Sequence, residues 1–486
     1  MEKRTVTRND LMKVDEYTYE IPQSFREDMR VPARVFVNEE MIDSVLDDKS
    51  VEQLINVSTL PGIQKFAYAM PDIHQGYGFP IGGVAATAIH QDGVISPGGI
   101  GYDINCGVRL MKSGFSYAEI APHLQNLATS IFHHVPSGVG RSGSYKLNMN
   151  ELDCVLESGA QCMVKKGIGN ADDIEYCEER GCMQNADPAL ISERAKKRGH
   201  DQLGTLGSGN HFLEIQRVEK IFDEAAAQAF GLSVDQVVVM IHCGSRGLGH
   251  QTCTDYVRGM VAKFSSWGIT LPDRELACAP FKSQEGQDYF NAMAAAANFG
   301  WANRHVIAHE VRQAFKTVLG KDAELDLLYD VSHNIGKIET YEVHGKKMEL
   351  LVHRKGATRS FGPSSMDIPA KYRGIGQPVL IPGTMGTSSY ILAGNDQSFE
   401  KSFGTCCHGA GRRLSRTQAK KMVGGADLRE KLEKEGIIIR CESDKGLAEE
   451  APIAYKDVDN VVNIVQGAQL ARKVAQVRPL AVIKGG

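Results

Sequence analysis

Between positions 96 and 109 the chain reads S-P-G-G-I-G-Y-D-I-N-C-G-V-R, which sets Asp103 three positions before Cys106 in a segment too rich in glycine for ordinary helix. A hard oxygen and a soft sulfur directed at one place suit a transition-metal ion, because a bound cation favours the thiolate form of cysteine. Alone, the pair reads first as a glycine turn beside a buried structural thiol. Two histidines change that balance: His242 opens H-C-G-S-R-G-L-G-H at 242–250, and His333 stands in S-H-N-I-G at 332–336. With Asp103 and Cys106 they have the composition of a two-metal site. A further histidine, His211, lies in L-G-S-G-N-H-F-L-E at 206–214, where Asn210 and Glu214 add an amide and a carboxylate. His305 and His309 have helical i, i+4 spacing but no H-E-x-x-H arrangement, so they read as packing and surface residues.

The segment T-C-C-H-G-A-G-R-R at 405–413 places His408 between two thiols and a small-residue turn. N–H groups freed at Gly409 and Gly411 suit an anion, and Arg412 or Arg413 can neutralise phosphate. His408 is then a base, a ligand or a phosphoryl-accepting nucleophile, while Cys406 and Cys407 offer redox or thiol chemistry. No Walker A or dinucleotide glycine pattern occurs, so nucleotide use falls to loops such as P-G-T-M at 382–385 with Ser389.

Short apolar runs at 93–95, 237–241, 325–331 and 378–381 each lead directly into one of these polar loops. Buried strands make rigid mounts, and groups just past their ends can converge on a crevice. A helix is predicted over about 289–318 from its alanine-rich pattern. With no linker, repeat or low-complexity tract, the 486 residues are expected to form one large domain, 1–486, rather than separate units.

The polar start of the chain and the lack of a long apolar stretch predict a cytoplasmic protein away from membranes. Eleven cysteines without framework spacing predict a reducing compartment, and Cys154, Cys162, Cys177 and Cys182 lack the C-x-x-C pairs of a zinc site. A net charge of −4 does not attract polyanions, so RNA or DNA contact would need local patches, at 194–198, 353–359, or Arg412, Arg413, Arg416, Lys420 and Lys421.

From M-P-D-I-H-Q-G-Y-G-F-P-I-G-G at 70–83 to V-I-K-G at 482–485, the motifs resemble, in order, those of the RtcB-type RNA-splicing ligases. The resemblance implies an α+β fold of central mixed sheets surrounded by helices, with the active site in a deep cleft. It implies two Mn2+ ions on Asp103, Cys106, His211, His242 and His333, with Cys106 bridging, and His408 as the nucleophile that takes GMP from GTP. The nucleotide would be held by Asn210, His211, Phe212, Leu213 and Glu214, then by His333 and Asn334, and by Pro382, Gly383, Thr384, Met385 and Ser389. His408, Gly409, Ala410, Gly411 and Lys484 would complete that set, with Glu214 reading guanine and Tyr455 a weaker candidate for stacking on it. Extra cysteines at 154–182 and a second terminal glycine, Gly486, depart from the pattern.

The activity implied is joining of RNA 3′-phosphate or 2′,3′-cyclic phosphate ends, such as those of tRNA halves, to 5′-hydroxyl ends. It would run through histidine–GMP and RNA 3′-pp-guanosine intermediates, in tRNA splicing or RNA repair. An archease-like activator is left open, and a monomer is expected. Arg354, Lys355 and Arg412 are expected to hold the RNA backbone. The alternative is a metal-dependent phosphoesterase acting on RNA cyclic or terminal phosphates; an RNA-binding protein with a vestigial site is a third reading.

Overall fold

The run V-V-V-M-I at 237–241 is apolar at every position because its strand, Gln236–Cys243, is covered on both faces. Val237, Val239 and Ile241 pack into one apolar cluster, while Val238 and Met240 pack into another. Continuous apolar sequence is what two-sided burial requires. In a computed structural model of the chain, which describes residues 5–485, this strand is central to an eight-stranded sheet. Its order is Leu325–Ser332, Gly107–Ser116, Gln236–Cys243, Phe212–Ile221, Ala471–Lys484, Ser389–Gly394 and Pro378–Ile381, with Ile438–Cys441 also paired to Ala471–Lys484. Gly486 lies outside the described residues, as do residues 1–4.

A seven-stranded sheet runs Met12–Asp15, Thr18–Ile21, Ala33–Phe36, Ala67–Tyr77, Phe79–Ala88, Lys346–Lys355 and Asn334–Val343. The two sheets are joined through one residue: His333 separates Leu325–Ser332 of the first from Asn334–Val343 of the second. The fold is α+β, with predominantly antiparallel pairing and helices against both sheets.

The longest helix, Gln284–Leu319, starts five residues before the stretch predicted and ends one residue after it. Ser283 caps it by accepting from the Gly286 N–H. Its alanines 294–297 are fully buried, and this small-residue surface lets neighbouring chain approach closely enough for the helix to run through the interior. His305 and His309 pack as expected: His305 lies 3.1 Å from the Ile168 carbonyl, and His309 accepts from the Gly169 N–H.

One pair of cysteines runs against the prediction of a reducing compartment. Cys154 and Cys162 form a disulfide, their Cα atoms 6.1 Å apart. Gly159, at φ +56°, turns the chain between helices Met149–Ser158 and Ala160–Lys165 and brings the two sulfurs together. Cys177 instead accepts from Arg109, and Cys182 from Asn298.

Asp330 and Asp173 bind three arginines inside the protein. Arg109 Nε donates to Asp330 at 2.7 Å, Arg304 to both Asp330 oxygens, and Arg312 to Asp173 through two nitrogens. Removing one partner of such a group leaves an uncompensated buried charge, which costs about 3–5 kcal/mol. Asp330→Asn should therefore lower the unfolding free energy by about 3–5 kcal/mol in denaturant titrations. A loss within the range of a surface substitution, about 0.5 kcal/mol, would contradict the weight given to this network.

Candidate active site

Strand register explains why ligands distant in sequence meet. Gly107 lies opposite Cys243 and Ser332, and His242 opposite both Val108 and Phe212. Cys106, His242, His333 and His211 therefore gather at one end of four neighbouring strands. Cys106 Sγ lies 3.2 Å from His242 Nε2 and 3.4 Å from His211 Nε2. His242 Nε2 and His333 Nε2 are 3.1 Å apart, and Asp103 Oδ2 is 2.8 Å from His211 Nε2.

Two groups of three result, Cys106–His242–His333 and Asp103–Cys106–His211, with ligand atoms within 4.8 Å of one another and the thiol common to both. Burial, and then the charge of Asp103, push the Cys106 thiol up to about 12. Burial holds the imidazoles of His242 and His333 well below the usual histidine range, and neither Nδ1 has a hydrogen-bond partner. Neutral imidazoles and a thiol that ionises beside positive charge are the donor set a soft or borderline cation takes. The residues fit such ions.

The loop carrying Cys106 is held from beneath. Asn105 adopts φ +53°, and Arg304 donates to its carbonyl at 2.7 Å and to its side chain at 3.0 Å. Arg304 also holds the Cys243 carbonyl at 2.8 Å, so one guanidinium ties together the chain around two ligands. At Gly244 an added Cβ would lie 2.5 Å from the Asp103 carboxylate, so any larger residue there would shift that carboxylate.

His408 follows the strand Thr405–Cys407, which pairs with Ala357–Arg359. The Ala357 N–H bonds the His333 carbonyl, and the His333 and His408 rings pack at 4.9 Å between centroids. Asp72, fully buried, accepts from the His408 backbone N–H at 3.0 Å and lies 2.5 Å from its Nδ1. This fixes the proton on Nδ1 and leaves Nε2 with the free lone pair. Lys456 donates to the carbonyls of Pro71 and Ile73, on either side of Asp72. Gly411, at φ +75°, passes where a Cβ would meet the Asp72 carbonyl at 2.3 Å.

Sequence reasoning missed Asp72 as a site residue although M-P-D-I-H was among the matched motifs. Its role depends on a contact between residues 336 positions apart, and no local pattern announces that. The rival thiols are fully buried, and burial pushes Cys407 well above the usual thiol range, so it is a poor nucleophile.

Beside His408 opens a cavity of about 860 Å3, including its mouth. Asn210, Phe212, Glu214, Pro382, Gly383 and Thr384 line it, as do Met385, Gly409, Ala410, Gly411 and Lys484. His74 and Glu450, neither of them expected, also face it, together with Tyr455 and with Arg416 from the basic patch at 412–421. Strand alternation turns the Leu213 side chain into the apolar cluster with Met111 and Ile241, so only its backbone can face the cavity side. Ser389 sits behind the cavity, its hydroxyl accepting from the Gly383 N–H at 3.0 Å. Asn334 is also a brace, donating to the Asp103 carbonyl and accepting from the Gly356 N–H.

Two of the expected RNA-holding residues are corrected as well. Arg354 is fully buried and chelates Glu339, and Lys355 donates to the carbonyls of Tyr77 and Phe79. Both lie on a strand interior, where charge must be paired within the protein. Arg412 reaches the cavity but is engaged by Glu450 and lies over the Tyr455 ring.

Comparison with known proteins places the chain in a family. The chain is 50% identical over 478 residues to the tRNA-splicing ligase RtcB of Archaeoglobus fulgidus, covering 98% of this chain and 99% of that one. It is 52% identical over 478 residues to the protein of that name from Thermococcus kodakarensis, again over 98% and 99%. Against the RNA-splicing ligase RtcB of Mycobacterium bovis it is 52% identical over 435 residues, 89% of this chain and 100% of that one. The family model described as tRNA-splicing ligase RtcB matches residues 53–485, and the chain belongs to that family.

Proposed function

We propose that this protein is an RNA ligase that joins 3′-phosphate or 2′,3′-cyclic phosphate ends, such as those of tRNA halves, to 5′-hydroxyl ends with GTP. The observation that carries the reading is the Asp72–His408 pair at the edge of an open cavity, with its free Nε2 beside the His242–His333 group. Nε2 attacks the α-phosphorus of GTP, a nitrogen–phosphorus bond forms, and the bond to pyrophosphate breaks. The ring then carries positive charge, which the Asp72 carboxylate on Nδ1 stabilises. An oxygen of the RNA 3′-phosphate next displaces the histidine, giving a 3′-pp-guanosine end, and the 5′-hydroxyl finally displaces GMP. A cyclic end is first opened by water.

Asp103, Cys106 and His211 would hold one Mn2+, and Cys106, His242 and His333 the second. Bound there, the ions would offset charge on phosphate oxygens and leaving groups. Gly409 and Gly411 bring backbone close to the cavity without side chains in the way, and Lys484 supplies positive charge at its wall. We assign the whole of 1–486 to one ligase domain working in the cytoplasm as a monomer; among the described residues no helix is long and apolar enough to cross a membrane.

Glu214 would distinguish guanine, accepting from its N1–H and N2–H groups. Burial pushes its carboxyl up to about 8, against the opposing influences of Gln216 and Lys484. Below that value the free protein holds Glu214 protonated, whereas the bound base favours the carboxylate. GTP binding at pH 7 should therefore release about one proton per site, a release that fades as pH rises through 8. Calorimetry in buffers of different ionisation enthalpy reads it directly. Equal heats in all buffers at pH 7, or the same release from Glu214→Gln, would contradict the role of Glu214.

The nucleophile is tested with GTP labelled on its α-phosphate and manganese, followed by denaturing electrophoresis. The labelled band should survive alkali, vanish in mild acid, and persist when Cys406 and Cys407 are both replaced by alanine. His408→Ala should give no band, and Asp72→Asn should slow its formation by about 10²–10⁴-fold through loss of the correct tautomer. A band from His408→Ala would return the thiols to consideration. RNA phosphate hydrolysis without any band would favour the phosphoesterase.

A further inference from the structure

Beside Asp103 three aromatic rings form a row that the chemistry above leaves unused. Tyr77 is 44% exposed, and its ring centre lies 5.5 Å from that of Tyr102, edge to face at 77°. The Tyr102 ring lies 5.7 Å from that of His250, tilted by 31°, and His250 is exposed. The three come from separate elements: the end of strand Ala67–Tyr77, the turn next to Asp103, and the first turns of helix Arg246–Val261. Aromatic rings left facing water regain free energy when another flat apolar surface covers them.

Positive charge accompanies the row. The Asp103 carboxylate and, after it, the guanidinium groups of Arg198 and Arg246 all act electrostatically on His250. Both guanidinium groups donate to neutral acceptors, Arg198 to Gln251 Oε1 and Arg246 to the Thr205 hydroxyl and the Gly138 carbonyl. At the other end, Glu275 accepts from the Gly78 N–H. Flat rings flanked by guanidinium groups are the chemistry that receives unpaired nucleotides, the rings taking bases and the cations taking phosphates.

We infer that Tyr77, Tyr102 and His250 form a stacking row for the unpaired bases of an RNA end, leading that end to the Asp103 side of the site. The inference rests on the RNA-joining reading above. Base-on-ring stacking tolerates every sequence, since every base has a flat face. That suits a substrate recognised by the chemistry of its ends. Continuity with the site is covalent, because Tyr102 immediately precedes Asp103.

The test uses the full chain with manganese and GTP, and a short 3′-phosphate RNA carrying 2-aminopurine in one of its last two positions. Stacking quenches that base, so wild-type protein should dim it. Tyr77→Ala, Tyr102→Ala and His250→Ala should each restore fluorescence and raise KM for RNA about tenfold, with kcat changed much less. Tyr102→Phe keeps a ring and should behave as wild type; this separates stacking from disturbance of neighbouring Asp103. Tyr77→Ala, at the end of a separate strand, tests the row away from that residue. Joining with wild-type KM and quenching in all three alanine variants would overturn the row and leave the ligase reading standing. Quenching that these variants lose, in a protein that joins no RNA, would support the row and remove the ligase.

Discussion

One sulfur atom, Cys106 Sγ, is claimed by two sets of ligands, and much of the surrounding structure serves to hold it in that shared position. Its backbone accepts from the His333 N–H, tying together two ligands far apart in sequence. The residue before it is left-handed and pinned by Arg304. Arg304 in turn is neutralised by Asp330, which also binds Arg109. A buried ionic group of this kind is a poor source of net stability, since desolvation offsets most of its attraction. Its value here lies in geometry: the same guanidinium fixes the chain at Asn105 and Cys243.

The two sheets contribute different halves of the chemistry. The eight-stranded sheet brings Cys106, His211, His242 and His333 to one end of neighbouring strands. The seven-stranded sheet contributes Asp72, from strand Ala67–Tyr77, and through it orients His408. His333 is the residue at which the two sheets are continuous, and its ring packs on that of His408. Distortion of the sheet junction would therefore move His408 and the Cys106–His242–His333 group together.

The sequence made the ligand types, the strand ends and the His408 loop legible because each depends on local pattern. Apolar runs ending in polar loops mark buried strands whatever their partners, and the run at 237–241 is one. Less legible was everything set by long-range contact. Asp72 looks like an ordinary acidic residue until the fold brings it to His408. Arg354 and Lys355 look like an RNA-facing patch in sequence, yet the strand carrying them is interior and their charges are taken by Glu339 and by backbone carbonyls. Leu213 sits between two cavity-facing residues, and strand alternation alone sends it the other way. The Cys154–Cys162 pairing needed a turn at Gly159 that spacing does not reveal.

Sharing of the Cys106 sulfur between two cations is the claim on which this description of the site most depends. It is tested most directly by titrating metal-free protein with cobalt(II) and following the near-ultraviolet sulfur-to-metal absorption alongside metal content. The shared-thiolate arrangement predicts that the absorption keeps changing until two ions are bound per chain, and that Cys106→Ala loses the absorption and binds both ions far more weakly. Saturation of the sulfur absorption at a single equivalent, or tight binding of two ions by Cys106→Ala, would contradict it.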